Sequence, residues 1–472
     1  MSNELHRSTR REFLTHDVGV AAATATLLAG TQASASQSKA SGRVLGANDR
    51  INITFIGNGM QFLTLVEMFK RRQQQKNDVN LAAVCDVWEP RLKYAQAQAG
   101  AEKTYRDYRD ILQRPDIDGV VLAVPDHWHC RMASEALLAG KDVYLEKPMT
   151  RTVDEAAKVN ALVDQTKRIL QLGGTGPATR LYWKINDYIK AGKMGKIVWG
   201  LISYNRNTRE GMWDYPIPGV GSDHWPDAKV TPENLDWEMW LGPASKRRYS
   251  AERYFRWRKF WDYSTGNAGD LLYHRLGAMS TMLGFDFPTR AVGVGGTYVQ
   301  KNREVPDTYM TMIEYPGDYT INMVSCMANS TSVPITVYGN WGTLQVLEGQ
   351  AAMDSMGDQR KAPAGAPQRR FRAVAVVKPE RQFLNEFKEA NDGQTEVTIE
   401  PEMGPGLTDD WLDSMRSRQS PVYNALRGYQ VMVAIALGVE SYRKGKVMAF
   451  DPVRRSMLSA PPPHKEYPPA EA

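Results

Sequence analysis

The stretch Ile51-Asn52-Ile53-Thr54-Phe55-Ile56-Gly57-Asn58-Gly59 constrains this chain more than any other: an apolar strand runs straight into a Gly-x-Gly turn. Gly57 permits the tight turn. Gly59 lets the backbone approach a pyrophosphate, which the N-terminus of a following helix then stabilises. The unit repeats. Further strands are expected at residues 80–85, 119–123, 142–145 and 169–173, with helices at 61–72, 90–99, 106–113, 132–139 and 153–167 between them. Such strand–helix alternation predicts an α/β fold that begins with a Rossmann-type doubly wound parallel sheet over residues 51–175.

After Gly176 the pattern changes. Strand-like stretches at 197–204, 292–299, 309–315, 319–326, 334–338 and 342–347 lack a regular helix after each, and Pro316-Gly317-Asp318 reads as a hairpin turn. This predicts an α+β domain over 176–445 with a large, mostly antiparallel sheet. A long helix at 423–444 closes it, residues 349–372 read as a surface loop, and 446–472 as a proline-rich tail. A length of 472 residues accommodates two or three domains, each with its own core.

In front of the first strand stands Thr9-Arg10-Arg11-Glu12-Phe13-Leu14, then an apolar run over 18–28, then Ala33-Ser34-Ala35. Residues 1–35 read as a twin-arginine signal peptide, and the Ser-, Ala- and Gly-rich 36–50 as a linker. The apolar run is too short to span a bilayer, and no later stretch reaches the roughly 18 apolar residues required. The expectation is a periplasmic or otherwise exported protein, handled by the twin-arginine export machinery, with no stable membrane anchor after cleavage. That pathway moves folded proteins, which suits a chain that must acquire a nucleotide in the cytoplasm.

The net charge is +6 and no Lys/Arg block occurs, so a nucleic-acid partner is not expected. Cys85, Cys130 and Cys326 form neither a disulfide framework nor a zinc pattern and read as small buried apolar residues.

Asp86 stands at the end of the second strand, where a carboxylate accepts hydrogen bonds from adenosine ribose hydroxyls and repels a 2′-phosphate; NAD is expected over NADP. The usual third glycine is replaced by Phe62, and Met60 opens the helix. The third strand ends in Ala123-Val124-Pro125-Asp126-His127-Trp128-His129 and the next in Glu146-Lys147-Pro148. Ligands bind at these C-terminal strand ends. The proline keeps Lys147 extended, so its ammonium can point into the cleft. His127 and His129 lack a third ligand at suitable spacing, so no metal is expected.

The order Gly57-x-Gly59, Asp86, Pro125 to His129 and Glu146-Lys147-Pro148 resembles the glucose–fructose oxidoreductase / inositol dehydrogenase / MocA family, from about Ile51 to the closing helix. Gly269-Asp270-Leu271-Leu272-Tyr273-His274 resembles its second signature, with Asp270 and His274 four residues apart and so on one helix face. The resemblance implies that Lys147 and His274 flank the carbon being oxidised. His274 takes the alcohol proton as hydride leaves for the nicotinamide, Lys147 stabilises the developing charge on oxygen, and Asp270 orients them. Gly57, Gly59, Met60, Asp86, Pro125, His129, Glu146 and Lys147 then line the dinucleotide, with His129 shaping the nicotinamide pocket. Seven of the twelve tryptophans lie between residues 199 and 261. Most are expected in the core; Arg206, Trp261 and Tyr273 are candidate substrate contacts, with Asn205, Asp214, Asp223 and His224 near them.

The expected function is that of an exported NAD-dependent oxidoreductase, a homo-oligomer, that acts on a sugar or cyclitol hydroxyl and keeps its cofactor. One alternative is an NAD-dependent glycosidase or keto-sugar lyase that works by transient oxidation at C3 and elimination. Another is a sugar-binding protein with a degenerate Rossmann domain, against which intact Asp86, Lys147, Asp270 and His274 argue.

Overall fold

Strands β1 (Ile51–Ile56), β2 (Val79–Cys85), β3 (Lys103–Tyr105), β4 (Gly119–Leu122), β5 (Asp142–Leu145) and β6 (Leu170–Leu172) make one sheet in the order β3-β2-β1-β4-β5-β6. Every pairing is parallel. The strands are nearly continuous apolar runs because both faces are covered. A computed structural model describes residues 49–174, 176–217, 229–347, 373–402 and 404–464. The expected signal, nearly all of the linker, the 349–372 loop, the end of the tail, and Asp223 and His224 lie outside the described residues.

Helices α1 (Met60–Lys76), α2 (Glu89–Ala99), α3 (Tyr108–Leu112), α4 (Asp126–Leu138) and α5 (Val153–Thr166) connect these strands. Phe62, at the third-glycine position, is fully buried and meets Phe55 edge-on at 5.2 Å, so an aromatic contact replaces close helix–strand packing. Two boundaries differ from expectation. Residues 103–105 add a strand, and α3 starts only at Tyr108, after an Asp107 cap. Helix α4 starts at Asp126 rather than 132, because Pro125 presets its entry and Asp126 suits the first turn.

The second sheet has ten strands: β7 (Ile197–Ser203), β8 (Arg290–Gly296), β9 (Thr308–Tyr315), β10 (Tyr319–Cys326), β11 (Ile335–Gly339), β12 (Gly342–Leu347), β13 (Val374–Pro379), β14 (Val397–Ile399), β15 (Met448–Asp451) and β16 (Ser456–Leu458). Their order is β14-β13-β12-β11-β7-β10-β9-β8-β15-β16. Only β7 and β10 pair in parallel. The expected hairpin joins β9 to β10, with Asp318 left-handed at φ 56°. Residues 446–472 are thus not simply a tail, since β15 and β16 extend the sheet edge.

Helix α6 (Arg180–Lys190) follows β6. One sheet face carries α9 (Tyr273–Leu283) and the last helix, α12 (Ala425–Lys444); the backbone of Gly293 lies so close to α12 that a Cβ there would stand 2.3 Å from Gly438 O. The opposite face exposes Val294, Met310, Met312 and Leu347, and Trp199 stacks on Tyr338 at 3.8 Å. Helix α11 (Leu407–Ser417) returns to the first sheet, where Trp411 packs edge-on against Phe69 and Tyr144. Residues 176–445 therefore do not form one spatially separate domain: part of the segment completes the Rossmann layer. Among the described residues no helix is long and apolar enough to cross a membrane.

A second, aromatic core lies beyond the end of β2. It joins Trp88 to Leu235, Trp237, Trp240, Leu241, Tyr254 and Tyr263, carried largely by α7 (Trp237–Leu241) and α8 (Ala251–Phe255).

Candidate active site

Strand β1 lies between β2 and β4, so the strand order reverses at its C-terminal end, where an open α/β sheet binds its ligand. Gly57 occupies that point at φ 82°, and a Cβ there would lie 2.7 Å from Ala123 O. Gly59 has nothing within 4 Å of its Cβ position and no side chain caps α1. The first amides of α1 thus face open space across a bare glycine, a cradle that fits a pyrophosphate. Met60 is exposed beside it, and Ala123, Val124 and Pro125 are half-buried along the adjoining strand end. Asp86 is buried. Its Oδ2 accepts from Asn58 N at 2.7 Å and its Oδ1 from Trp88 N at 2.9 Å, which fixes the carboxylate against the glycine turn. These residues fit a dinucleotide.

Two of the expected cofactor contacts hold the frame. Glu146 accepts from Gln61 Nε2 at 2.9 Å and from Lys147 N at 3.1 Å, tying the start of α1 to the lysine backbone. His129 is buried, with Nδ1 2.6 Å from Pro148 O and Nε2 2.9 Å from Val124 O. Both ring nitrogens face main-chain carbonyls, so His129 braces the Lys147-Pro148 turn and offers a ligand no nitrogen. Burial lowers its pKa, against the pull of the two carbonyls, which favour the charged ring. His127 is buried on Trp240 and Tyr263, with Nε2 3.0 Å from Trp240 O. Among the described residues no group of three or more His, Cys, Asp or Glu side chains is placed to hold a metal.

The second signature opens on a wide π-type turn, Ala268–Leu272, which continues into α9. Asp270 lies in the turn and His274 in the first α-helical turn. Lys147 Nζ donates to Asp270 Oδ1 at 2.9 Å and to its carbonyl at 2.8 Å. Arg258 Nε also donates to Oδ1 at 2.9 Å, and Trp213 Nε1 to Oδ2 at 3.1 Å. Burial alone would raise the Asp270 pKa. The Lys147 and Arg258 cations outweigh it and hold the carboxyl well below the usual range, so Asp270 is ionised. His274 meets Tyr204 edge-on at 6.2 Å. Desolvation, reinforced by Lys147, Arg206 and Arg275, pushes its pKa down to about 3, so its ring is neutral.

Sequence reasoning missed Arg258, Trp213 and Asp126. Arg258 stands twelve residues before Asp270, and nothing local marks it as its partner. Trp213 stands at φ 68°, a conformation that strains a bulky residue. Arg303 holds it there, donating to Met212 O at 2.6 Å with its guanidinium 5.7 Å from the indole ring. Behind it, Asp214 pairs with Lys259 at 2.7 Å and Arg256 at 3.2 Å. Asp126 is buried beside this cluster, and burial pushes its pKa up to about 7.

The three candidate substrate contacts separate. Arg206 lies over Tyr204, its guanidinium 4.9 Å from the ring, within electrostatic reach of His274. Tyr273 is buried against Tyr423, and Trp261 packs on Tyr442 and Arg443 of α12.

A glycine cradle at the reversal point of a parallel sheet, beside a group in which Lys147 from the end of β5 meets Asp270 and His274 from the later segment, defines a dinucleotide-dependent oxidoreductase. Residues 51–174 match the Gfo/Idh/MocA oxidoreductase family's NAD-binding Rossmann fold, and residues 184–317 its C-terminal alpha/beta domain; together these cover more than half of the chain. The chain belongs to this family. A Glycosyl hydrolase family 109 protein 2 from Shewanella sp. (strain ANA-3) is 29% identical over 218 residues, 42% of this chain and 46% of the relative. The match thus spans under half the length of that relative. Among solved structures, a levoglucosan dehydrogenase in complex with NADH has a TM-score of 0.60 at 17% identity, covering 85% of this chain and 99% of that one. An aldose-aldose oxidoreductase from Caulobacter crescentus has a TM-score of 0.58 at 17% identity, covering 85% and 100%. At these identities the likeness is one of fold.

Proposed function

We propose that this chain is an exported NAD-dependent oxidoreductase that oxidises a sugar or cyclitol hydroxyl and retains its cofactor. The observation that carries this is the placement of an ionised Asp270 between Lys147 and Arg258, one helical turn from a neutral His274. A dinucleotide held by its pyrophosphate at the Gly57–Gly59 cradle would supply the two-electron acceptor, its nicotinamide. Asp270 fixes the Lys147 ammonium, which donates to the substrate oxygen and stabilises the negative charge that develops there. Neutral His274 takes the hydroxyl proton. Asp86, at the ribose end of the cradle, selects NAD over NADP by repelling a 2′-phosphate. Export rests on Arg10-Arg11 and the apolar run that follows. A homo-oligomer is supported by the apolar outer face of the ten-stranded sheet, with Val294, Met310, Met312 and Leu347 exposed.

A second reading has its own support. The relatives named as glycosyl hydrolases favour redox-neutral cleavage of a glycoside, in which the same Lys147 and His274 serve a transient oxidation. The experiment is mass spectrometry of the native protein for bound nucleotide, followed by nucleotide absorbance with a panel of free sugars and aryl glycosides. Stable reduction by a free sugar supports the dehydrogenase. Glycoside cleavage without net reduction supports the second reading. A protein with no bound or bindable nucleotide contradicts both.

A further inference from the structure

We propose that Arg206 binds an anionic substituent of the substrate, a carboxylate or a phosphate or sulfate ester, next to the carbon that reacts. This rests on the oxidoreductase reading above and names the substrate class for that site.

Lys147 and Arg258 direct their charge at Asp270, which both contact through Oδ1. Arg206 is different. Its Nη2 donates to the neutral Tyr204 hydroxyl at 2.6 Å, its guanidinium lies on the Tyr204 ring, and its Nε is buried with no hydrogen-bond partner. Among the described residues no carboxylate pairs with it. Three cations, Lys147, Arg206 and Arg275, act on His274 together with the Asp270 carboxylate. Tyr215 lies among the same charges, with Arg258, Arg206 and Lys147 set against Asp270.

The perch is rigid. Arg206 N donates to Cys326 O at 2.8 Å and Tyr204 N to Val324 O at 2.9 Å, so the backbone past β7 stays zipped to β10. A guanidinium anchored on a ring and on its hydroxyl offers its remaining N–H groups as donors, the chemistry that suits a carboxylate or phosphate. A neutral sugar would leave this cation uncompensated in a partly desolvated cleft. An anionic sugar pairs with it and places its neighbouring hydroxyl before His274 and Lys147.

The test uses the nucleotide-loaded full protein and compares kcat/KM for matched pairs: glucuronate with glucose and with glucuronamide, galacturonate with galactose, and glucose 6-phosphate and glucose 6-sulfate with glucose. The expected result is that at least one anion exceeds its neutral counterpart by about tenfold or more, a preference that weakens with added salt. Arg206→Gln should collapse that ratio at an unchanged melting temperature, and Arg206→Lys should restore part of it. Which anion wins identifies the carboxylate or the ester as the source. Neutral members equal to or better than their anionic partners, or a ratio that survives Arg206→Gln, would overturn the anion site and leave the oxidoreductase reading standing. A panel in which no member reduces the nucleotide would overturn both.

Discussion

Trp213 donates its indole N–H to Asp270 Oδ2 at 3.1 Å from a backbone held at φ 68°. With Lys147 and Arg258 on the other oxygen, this bond completes the fixing of the carboxylate. Strain of this kind persists only where the surroundings over-determine it, here through Arg303 on the Met212 carbonyl. Trp213→Phe keeps the ring and removes the donor. It should lower kcat about tenfold to a hundredfold, since a hydrogen bond to a charged group contributes roughly 1.5–3 kcal/mol. Steady-state kinetics on Trp213→Phe, with Trp213→Ala as the packing control, checks it; wild-type kcat in the Phe variant would show that Trp213 only fills space.

Asp86 accepts from Asn58 N and Trp88 N through its two oxygens at the end of β2, and the proposed function gives it the ribose hydroxyls as well. Asp86→Ala should weaken NAD binding by about tenfold to a hundredfold through loss of charged hydrogen bonds and should narrow the gap to NADP. Calorimetric titration with both nucleotides reads this. Equal affinities in wild type and variant would remove Asp86 from the cofactor site.

The pH dependence of stability follows from His274. Its folded pKa of about 3 lies below the ordinary imidazole value of 6.5, so the unfolded chain takes up a proton first as pH falls. The stability held above pH 6.5 is therefore lost progressively between 6.5 and 3. His274→Gln should flatten this loss while His127, also held down to about 3, keeps its share. Denaturant melts at several pH values test it; parallel curves for the two proteins would contradict the assignment.

Export gives a separate test. Replacing Arg10-Arg11 with Lys-Lys should leave folded, nucleotide-bearing precursor in the cytoplasm, visible by cell fractionation. Normal periplasmic amounts would mean that the segment is not read as a twin-arginine signal.

The two sheet types follow from local signals, and so much of the fold is legible in the sequence, whereas the strand orders are not. Apolar runs ending in Gly57-x-Gly59 or Glu146-Lys147-Pro148 mark parallel strands, and Pro316-Gly317-Asp318 marks the hairpin. Asp270 and His274 are legible because four-residue spacing is local. Arg258, Trp213 and Arg303 are not, because each reaches the site through contacts between distant segments. The start of α4 at Asp126 had a signal in Pro125-Asp126, which suits a helix N-terminus. The burial of Tyr273 and the bracing role of His129 had none: an aromatic or a histidine at a strand or helix end looks the same whether packing or a ligand claims it.

The central claim is that Lys147 and His274 act on the reacting hydroxyl, and single-turnover reduction of bound nucleotide in His274→Ala tests it most directly. At equal nucleotide loading the rate should fall about 10²–10⁴-fold, the usual range for a positioned acid–base group, with little change in melting temperature. A His274→Ala protein that melts early yet reduces its nucleotide at the wild-type rate would make His274 a packing residue and contradict the account.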